Sequence, residues 1–163
     1  MTVRKAVPAE LDRIMEIYSV AREFMIENGN PTQWEGGYPQ RELVEEDIRT
    51  GICHVICDGE ALCGVFALLD GDDPWYRRIV DGKWKNDAPY MAIHRIASDG
   101  TRRGVFRCAA DYVAERCDNI RIDTHENNHI MQKLITGYGF VRCGTVFVAG
   151  DSPRIAYQWT REA

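Results

Sequence analysis

Apolar residues recur along the first part of the chain at the spacing of an amphipathic helix. The residues at intervals of three and four, which share one face of such a helix, are Leu11, Ile14, Met15, Tyr18, Ala21 and Met25. A short alternating stretch at 2–6 predicts an edge strand before this helix, and the turn-forming residues at 28–31 end it. A shorter, acidic surface helix is predicted around Leu43 and Ile48.

The middle of the chain has the pattern of a β-hairpin followed by a long loop. Residues 52–58 and 61–69 predict two strands, which a tight turn at Gly59 and Glu60 joins. The polar stretch 71–88 predicts a loop with several aromatic side chains. Long loops inside compact domains are often functional, so this one is a candidate to contribute to a site.

The second half of the chain alternates between the two kinds of element. The apolar pattern predicts strands at 90–97, 120–124, 140–149 and 154–160, and helices at 105–113 and 131–138. A strand–helix–strand unit places its two strands parallel, whereas hairpins are antiparallel. The sequence therefore predicts an α/β (α+β) fold in one domain spanning 1–163, with a mixed, mostly antiparallel central sheet, a central parallel β-α-β unit and flanking helices.

Charge and hydropathy exclude several classes of partner. Twenty Lys and Arg residues stand against 25 Asp and Glu residues, which gives a net charge of −5. This balance opposes general attraction to nucleic acid or to anionic membranes. No apolar run approaches the roughly 20 residues that a membrane helix needs, and no apolar signal core follows the first residues. We therefore expect a cytoplasmic protein that holds any anionic ligand in a local site.

The cysteines are expected to be reduced and mostly buried. They are Cys53, Cys57, Cys63, Cys108, Cys117 and Cys143. The chain is large for a disulfide scaffold, has no Cys-x-x-Cys, and places several cysteines inside apolar runs. A zinc site at Cys53, His54 and Cys57 is the alternative, but a strand there points the cysteines to one face and His54 to the other. No metal is therefore expected.

The segment 96–107 predicts an anion site. It reads Ile-Ala-Ser-Asp-Gly-Thr-Arg-Arg-Gly-Val-Phe-Arg, from the end of a predicted strand to the start of a predicted helix. Helix N-termini expose unpaired N–H groups, glycine lets an anion approach the backbone, and Arg102, Arg103 and Arg107 add positive charge. Together these features predict a phosphate cradle, although the segment is neither a Walker loop nor a Gly-x-Gly-x-x-Gly fingerprint. The alternative is a solvated loop whose arginines aid solubility.

The ordered set of segments resembles the GNAT superfamily of N-acetyltransferases, which bind acetyl-CoA. The matching segments are the opening strand and helix, the strand at 93–97, the loop at 102–106, and the run from Asn128 to Gly139 and Phe140. They follow the family's order and spacing over nearly the whole chain. The resemblance implies a GNAT-like fold and direct transfer of the acetyl group of acetyl-CoA to a primary amine.

The resemblance also implies which residues bind acetyl-CoA. Main-chain groups of Ile96, Ala97 and Ser98 would pair with the pantetheine arm. The Asn128 side chain would hydrogen-bond the same arm, or would act as a plain helix cap. The pyrophosphate would be held by the loop and helix start, which are Arg102, Arg103, Gly104, Val105, Phe106, Arg107 and Cys108.

Departures from the family pattern keep a second function open. Thr101 and Phe106 occupy the ends of the loop motif, where the family has Arg or Gln and Gly or Ala. Ile135 stands where many members have a Tyr that protonates the departing thiolate. These departures favour, as the alternative, a non-catalytic module that binds CoA or another nucleotide.

His94 is the candidate general base of the predicted enzyme. One face of its strand is predicted to carry alternate residues, namely Tyr90, Ala92, His94 and Ile96. In the family this face looks into the active site, and an imidazole suits proton transfer near neutral pH. The alternative is a core histidine that hydrogen-bonds neighbouring strands.

Aromatic residues outside the helices are the candidates for contact with the acceptor. Trp34, Tyr38 and Tyr90 are expected to bind it, and packing of the loops is the alternative role for each of them. The expected acceptor is a small-molecule amine or a peptide, and a homodimer is compatible with the sequence.

Overall fold

A mixed sheet of seven strands forms the centre of the structure, a computed structural model that describes residues 1–162. The strands are β1 (Thr2–Lys5), β2 (Cys53–Asp58), β3 (Ala61–Asp70), β4 (Met91–Ser98), β5 (Asn119–Thr124), β6 (Val141–Val148) and β7 (Ser152–Thr160). Their order in the sheet is β1-β2-β3-β4-β5-β7-β6, and all neighbours are antiparallel except β4 and β5. The predicted fold class, with its central parallel unit, is confirmed.

Helices cover both faces of this sheet. They are α1 (Leu11–Glu27), α2 (Arg41–Arg49), α3 (Val105–Ala114) and α4 (His129–Tyr138). Alternate residues of a strand point to opposite faces, so each central strand contributes to two cores. Val55 and Val65 pack with α1 and α2, whereas Phe66 and Ile93 pack with α3 and α4. The predicted elements all occur, and their ends differ from the prediction by one or two residues.

A β-bulge interrupts the alternation of β4. Val65 pairs with Ala97 and Ala67 pairs with His94, so two residues of β4 lie opposite one residue of β3. As a result, Ile96 packs on the α3 side of the sheet, while His94 lies on the other side beside Tyr76. The predicted common face therefore includes His94 but not Ile96, because the bulge shifts the alternation by one residue.

Contacts from α1 and α2 hold the bulge in place. Arg95 adopts a left-handed φ of 51°, which is unfavourable for a residue with a side chain. Its guanidinium donates to both carboxylate oxygens of Asp47 at 2.9 and 3.0 Å, and its carbonyl accepts a hydrogen bond from the Tyr18 hydroxyl at 2.9 Å. The conformation of β4 thus depends on residues that lie far away in the sequence.

All six cysteines lie within the described residues and are free thiols, as expected. Cys53 and Cys57 belong to the core beneath α1, whereas the His54 ring stacks on Phe66 at 5.4 Å on the opposite face. No group of His, Cys, Asp or Glu side chains within residues 1–162 is arranged to hold a metal ion. Among these residues there is also no helix with the length and apolar character needed to cross a membrane.

Acid is expected to destabilise the fold in part through His54. Burial lowers the pKa of this imidazole, although its hydrogen bond to the carbonyl of Ile52 opposes the shift. Because the unfolded chain then binds the proton more readily, stability is lost as the pH falls below the unfolded value of about 6.5. We expect the urea midpoint of the wild type to fall more between about pH 7.5 and about pH 5.5 than that of His54→Phe. His129→Gln, at an exposed position, is the matched control and should behave like the wild type. An equal fall of the urea midpoint between the two pH values in all three proteins would contradict the prediction.

Candidate active site

The two parallel strands diverge towards their C-terminal ends. β4 and β5 pair only at Met91 with Ile120 and at Ala92 with Arg121. β5 continues to pair with β7 as far as Thr124, so the gap opens between β4 and β5 alone. The edge of β4 that faces β5 beyond Ala92 therefore presents main-chain groups that a bound molecule can hydrogen-bond.

A cavity of about 440 Å³ lies next to this divergence. It is bounded by the end of β4, the start of α3, the last turns of α1 and one face of α4. The predicted cofactor residues that line it are Ile96, Ala97, Ser98, Arg102, Gly104, Val105, Phe106, Arg107 and Asn128. Arg103 and Cys108 lie outside the lining. The size falls within the usual range of sites for small molecules and cofactors.

The start of α3 presents backbone donors to the cavity. Gly104 precedes the helix with a left-handed φ of 80°. Within the described part of the chain, the N–H groups of residues 102–107 have no hydrogen-bond acceptor. The preceding N–H groups of Gly100 and Thr101 are instead bonded to Ser98 and Asp99, which braces the loop. A braced loop with free donors at a helix N-terminus fits the oxygens of a pyrophosphate.

Side chains around the cradle leave these donors accessible. Arg102 donates to Asp58 at 2.6 Å on the surface, and the guanidinium of Arg107 lies 5.3 Å from the centre of the Tyr138 ring. The Phe106 ring is buried in the core against Tyr138 and Phe140. The departure from the family motif at Phe106 therefore leaves its backbone donor in place.

Gly64 on β3 sets how closely α3 approaches the sheet. A Cβ there would lie 2.6 Å from Cγ1 of Val105 and 3.2 Å from the carbonyl oxygen of Ala97. Gly64→Ala is therefore expected to displace the start of α3, to destabilise the protein by about 1–3 kcal/mol and to weaken CoA binding. Urea unfolding and calorimetry measure the two effects. Gly137→Ala, within α4 and with open space around the new Cβ, is the stability control and should not destabilise. Equal stability of the Gly64 variant and the wild type would contradict the packing argument.

His94, the predicted base, is hydrogen-bonded to a buried carboxylate. Its Nε2 lies 2.5 Å from Oδ2 of Asp73, whose side chain is 1% exposed. Asp73 also accepts a hydrogen bond from the N–H of Trp75, and its own N–H donates to the Tyr90 hydroxyl at 2.7 Å. Burial alone would raise the pKa of Asp73, but the hydrogen bond and charge of His94 and the N–H of Trp75 outweigh it and lower the pKa. An ionised Asp73 holds the proton of the neutral imidazole on Nε2 and leaves Nδ1 as the acceptor.

A second carboxylate lies close to this pair. The Tyr76 hydroxyl donates to Oδ2 of Asp123 at 2.6 Å, and the Tyr76 and His94 rings are 5.4 Å apart. Burial and the charge of Asp123 raise the pKa of Tyr76 well above its usual value, so the phenol stays protonated. Tyr76, in the loop between β3 and β4, thus contacts both β4 and β5 on the face that carries His94.

Asn128 is confirmed as a helix cap. Its Oδ1 accepts from the N–H of Met131 at 3.1 Å, and its Nδ2 donates to Oε1 of Gln33 at 3.0 Å. Gln33 accepts a second hydrogen bond from Asn30 at 2.8 Å. The Asn128 side chain is therefore already engaged at both ends, and its contact with pantetheine stays a prediction.

Two of the three residues expected to contact the acceptor pack inside the protein. Trp34 is 6% exposed and packs edge-on against Tyr18, while Tyr90 is 8% exposed and supports Asp73. Burial of large aromatic rings stabilises the loops, and this accounts for their placement. Tyr38 remains partly exposed, and its hydroxyl accepts from Arg95 at 3.4 Å.

Asp73 is not predicted from the sequence as part of the site, and Tyr76 is predicted only as one of several aromatic residues in the loop 71–88. A detectable signal was present, because Asp73 precedes Pro74, which is the pattern that begins a short helical turn. The structure shows such a turn, with the Asp73 side chain capping the N–H of Trp75. The remaining clue was only that a long, polar loop contained several aromatic residues.

Solved structures share this fold over almost their full length. A GNAT-family acetyltransferase from Streptococcus agalactiae 2603 is 33% identical, with a TM-score of 0.90 over 99% of this chain and 96% of that chain. One from Bacillus cereus ATCC 10987 is 22% identical, with a TM-score of 0.64 over 99% and 98%. AAC(6')-Ib, in complex with ribostamycin and coenzyme A, is 18% identical, with a TM-score of 0.67 over 98% and 93%. No family model and no curated protein matches the chain. Because one-third of the residues are identical over almost the whole of both chains in the first comparison, this chain belongs to the GNAT family of acetyltransferases.

Proposed function

We propose that this protein transfers the acetyl group of acetyl-CoA directly to a primary amine of a small molecule or peptide, with His94 as the general base. The observation that carries the proposal is the pair of His94 and buried Asp73 on the strand that diverges from β5. We further propose that the protein acts in the cytoplasm, which its free thiols and acidic balance support.

The residues around the cavity fit acetyl-CoA. The N–H groups of 102–107 suit the pyrophosphate, and the unpaired edge of β4 suits the amide groups of a pantetheine arm. When bound, acetyl-CoA supplies the activated acyl group. That AAC(6')-Ib is seen with coenzyme A supports the same assignment for the related fold here.

His94 would accept the proton that the amine loses. Nδ1 of the imidazole takes this proton directly or through one water, because Nε2 is already bonded to Asp73. Asp73 stabilises the imidazolium that results. A main-chain N–H of the β4 edge near Ala97 would donate to the acyl carbonyl oxygen, where negative charge grows during the attack.

Neither Ile135 nor Tyr138 can serve as the acid that protonates the departing thiolate in many members of the family. Ile135 is fully buried in the core. Tyr138 lines the cavity, but its hydroxyl donates to Asp111 at 2.8 Å, and burial and this carboxylate raise the pKa of Tyr138 to about 12. The amine loses one proton and the thiolate gains one, so His94 can return the same proton to the leaving group.

An amine screen tests the proposal. Thiol release from acetyl-CoA is followed with and without each member of a broad panel of amines, and the acetylated product is identified by mass spectrometry. We expect amine-dependent release with at least one compound. Tight binding of CoA without any amine-dependent release would instead support the non-catalytic module.

A further inference from the structure

We propose that Arg154 binds a carboxylate of the acceptor, so that the substrate is an amino acid or a related amine that carries a carboxylate. This inference rests on the proposed acetyl transfer and specifies its substrate class. Arg154 lies near the start of β7 and is 8% exposed.

Arg154 differs from two other arginines of the sheet, Arg95 and Arg121, whose side chains are also largely shielded from solvent. Arg95 forms two hydrogen bonds with the carboxylate of Asp47. Arg121 lies between two aromatic rings, at 4.2 and 4.0 Å from their centres. For Arg154, no carboxylate oxygen among residues 1–162 approaches within 4.0 Å, and its hydrogen bonds all go to neutral acceptors.

The contacts of Arg154 hold the guanidinium without neutralising it. Nη1 donates to Oγ of Ser152 at 2.5 Å and to the carbonyl of Pro153 at 3.0 Å, and Nη2 points to the carbonyl of Gln33 at 3.5 Å. Burial lowers the pKa of Arg154 even though the charge of Asp123 opposes the shift. The charges of Asp123 and Glu35 act on Arg154 from beyond contact distance. Because neither carboxylate contacts the buried guanidinium, a substrate carboxylate that enters beside it would offset part of the cost of burying the charge. The planar guanidinium also matches a carboxylate in geometry.

The position of Arg154 connects it to the proposed base. Ala156 pairs with Asp123 on β5, and Arg154 lies two residues earlier on β7, so its side chain shares the face of Asp123. Asp123 in turn accepts from Tyr76, whose ring packs on His94. A polar row therefore crosses the sheet from His94 to Arg154, and an acceptor whose carboxylate sits at Arg154 would extend its amine along this row towards His94.

Matched pairs of acceptors test this inference on the wild-type protein. The probes are the common amino acids and γ-aminobutyrate, each compared with its own carboxamide. We expect kcat/KM for the carboxylates that are turned over to exceed that for their carboxamides by about tenfold or more, since hydrogen bonds to charged groups have this strength. Equal values within the pairs would overturn the role of Arg154 and leave the proposed acetyl transfer standing. A protein that acetylates neither series, nor any other amine, would overturn both.

Variants of Arg154 test whether this residue causes the preference for carboxylates over carboxamides. Arg154→Gln is expected to raise KM for the carboxylate by about tenfold to a hundredfold. The KM and kcat for the matching carboxamide and the affinity for CoA should not change. Arg154→Lys keeps the charge but loses the forked geometry, so an intermediate loss is expected. Arg142→Gln, exposed on β6, is the matched control and should retain the wild-type preference. A carboxylate preference that persists in both Arg154 variants would assign it to another residue, and if Arg154→Gln does not fold, the wild-type pairs and Arg154→Lys still decide.

Discussion

Replacing His94 with glutamine is expected to lower kcat by about a hundredfold or more while the dissociation constant for CoA stays nearly unchanged. Glutamine can keep a hydrogen bond to Asp73 but cannot accept the amine proton. The loss should therefore appear in the chemical step, and the acid limb of the rate profile should disappear. Stopped-time assays of thiol release across a pH series, with calorimetry of CoA binding, measure both quantities.

Asp73→Asn provides a second test of the proposed base. It leaves the imidazole in place but removes the carboxylate that fixes its tautomer, so kcat should fall while KM changes little. Ile155→Val, in β7 on the opposite face of the sheet, controls for mild changes of packing. If His94→Gln keeps the wild-type kcat and the acid limb, His94 is a packing residue and the proton passes to solvent.

Gly104→Asp is expected to weaken CoA binding by about a hundredfold or more, because three effects act in the same direction. The left-handed φ of 80° strains any side chain at this position. The new carboxylate would repel the pyrophosphate, and it would occupy the space in front of the free N–H groups. Titration calorimetry with CoA measures the change.

Gly100→Asp separates local strain from loss of the cradle. Gly100 has nearly the same conformation, with a φ of 78°, and a new Cβ there would have no atom within 4 Å, whereas a Cβ at Gly104 would meet only Cε of Met1, at 3.7 Å. Its N–H, however, is bonded to Ser98 and does not belong to the free donors. This variant should bind CoA much more tightly than Gly104→Asp. Unchanged affinity in a folded Gly104→Asp protein would refute the assignment of the cradle.

The parts of the fold that depend on local pattern could be predicted from the sequence. The helices and strands follow from apolar spacing, and the parallel pair follows from the strand–helix–strand order. The bulge at Arg95 could not be predicted, because it depends on the register with β3 and on contacts from Asp47 and Tyr18. Strand alternation alone therefore placed Ile96 on the wrong face.

The part of the site that main-chain groups form could be predicted from the sequence. The part that side chains from distant segments form could be predicted less well. The start of α3 was recognisable from glycines and arginines next to a predicted helix. Asp73 lies 21 residues before His94 in the chain, and only the folded loop brings the two together. Trp34 and Tyr90 are predicted to contact the acceptor but are buried in the structure, because a sequence does not show which aromatic side chains turn inward.

The short pairing between β4 and β5 has a consequence for the cohesion of the whole molecule. The sheet consists of two antiparallel leaves, β1 to β4 and β5 to β7, and only two residue pairs join them along the shared edge. A molecule that hydrogen-bonds the open edge of β4 while it contacts α4 would bridge the two leaves. Binding of a ligand in the cleft would then make the sheet more rigid. The two leaves would move most freely relative to each other in the interval between release of one ligand and binding of the next.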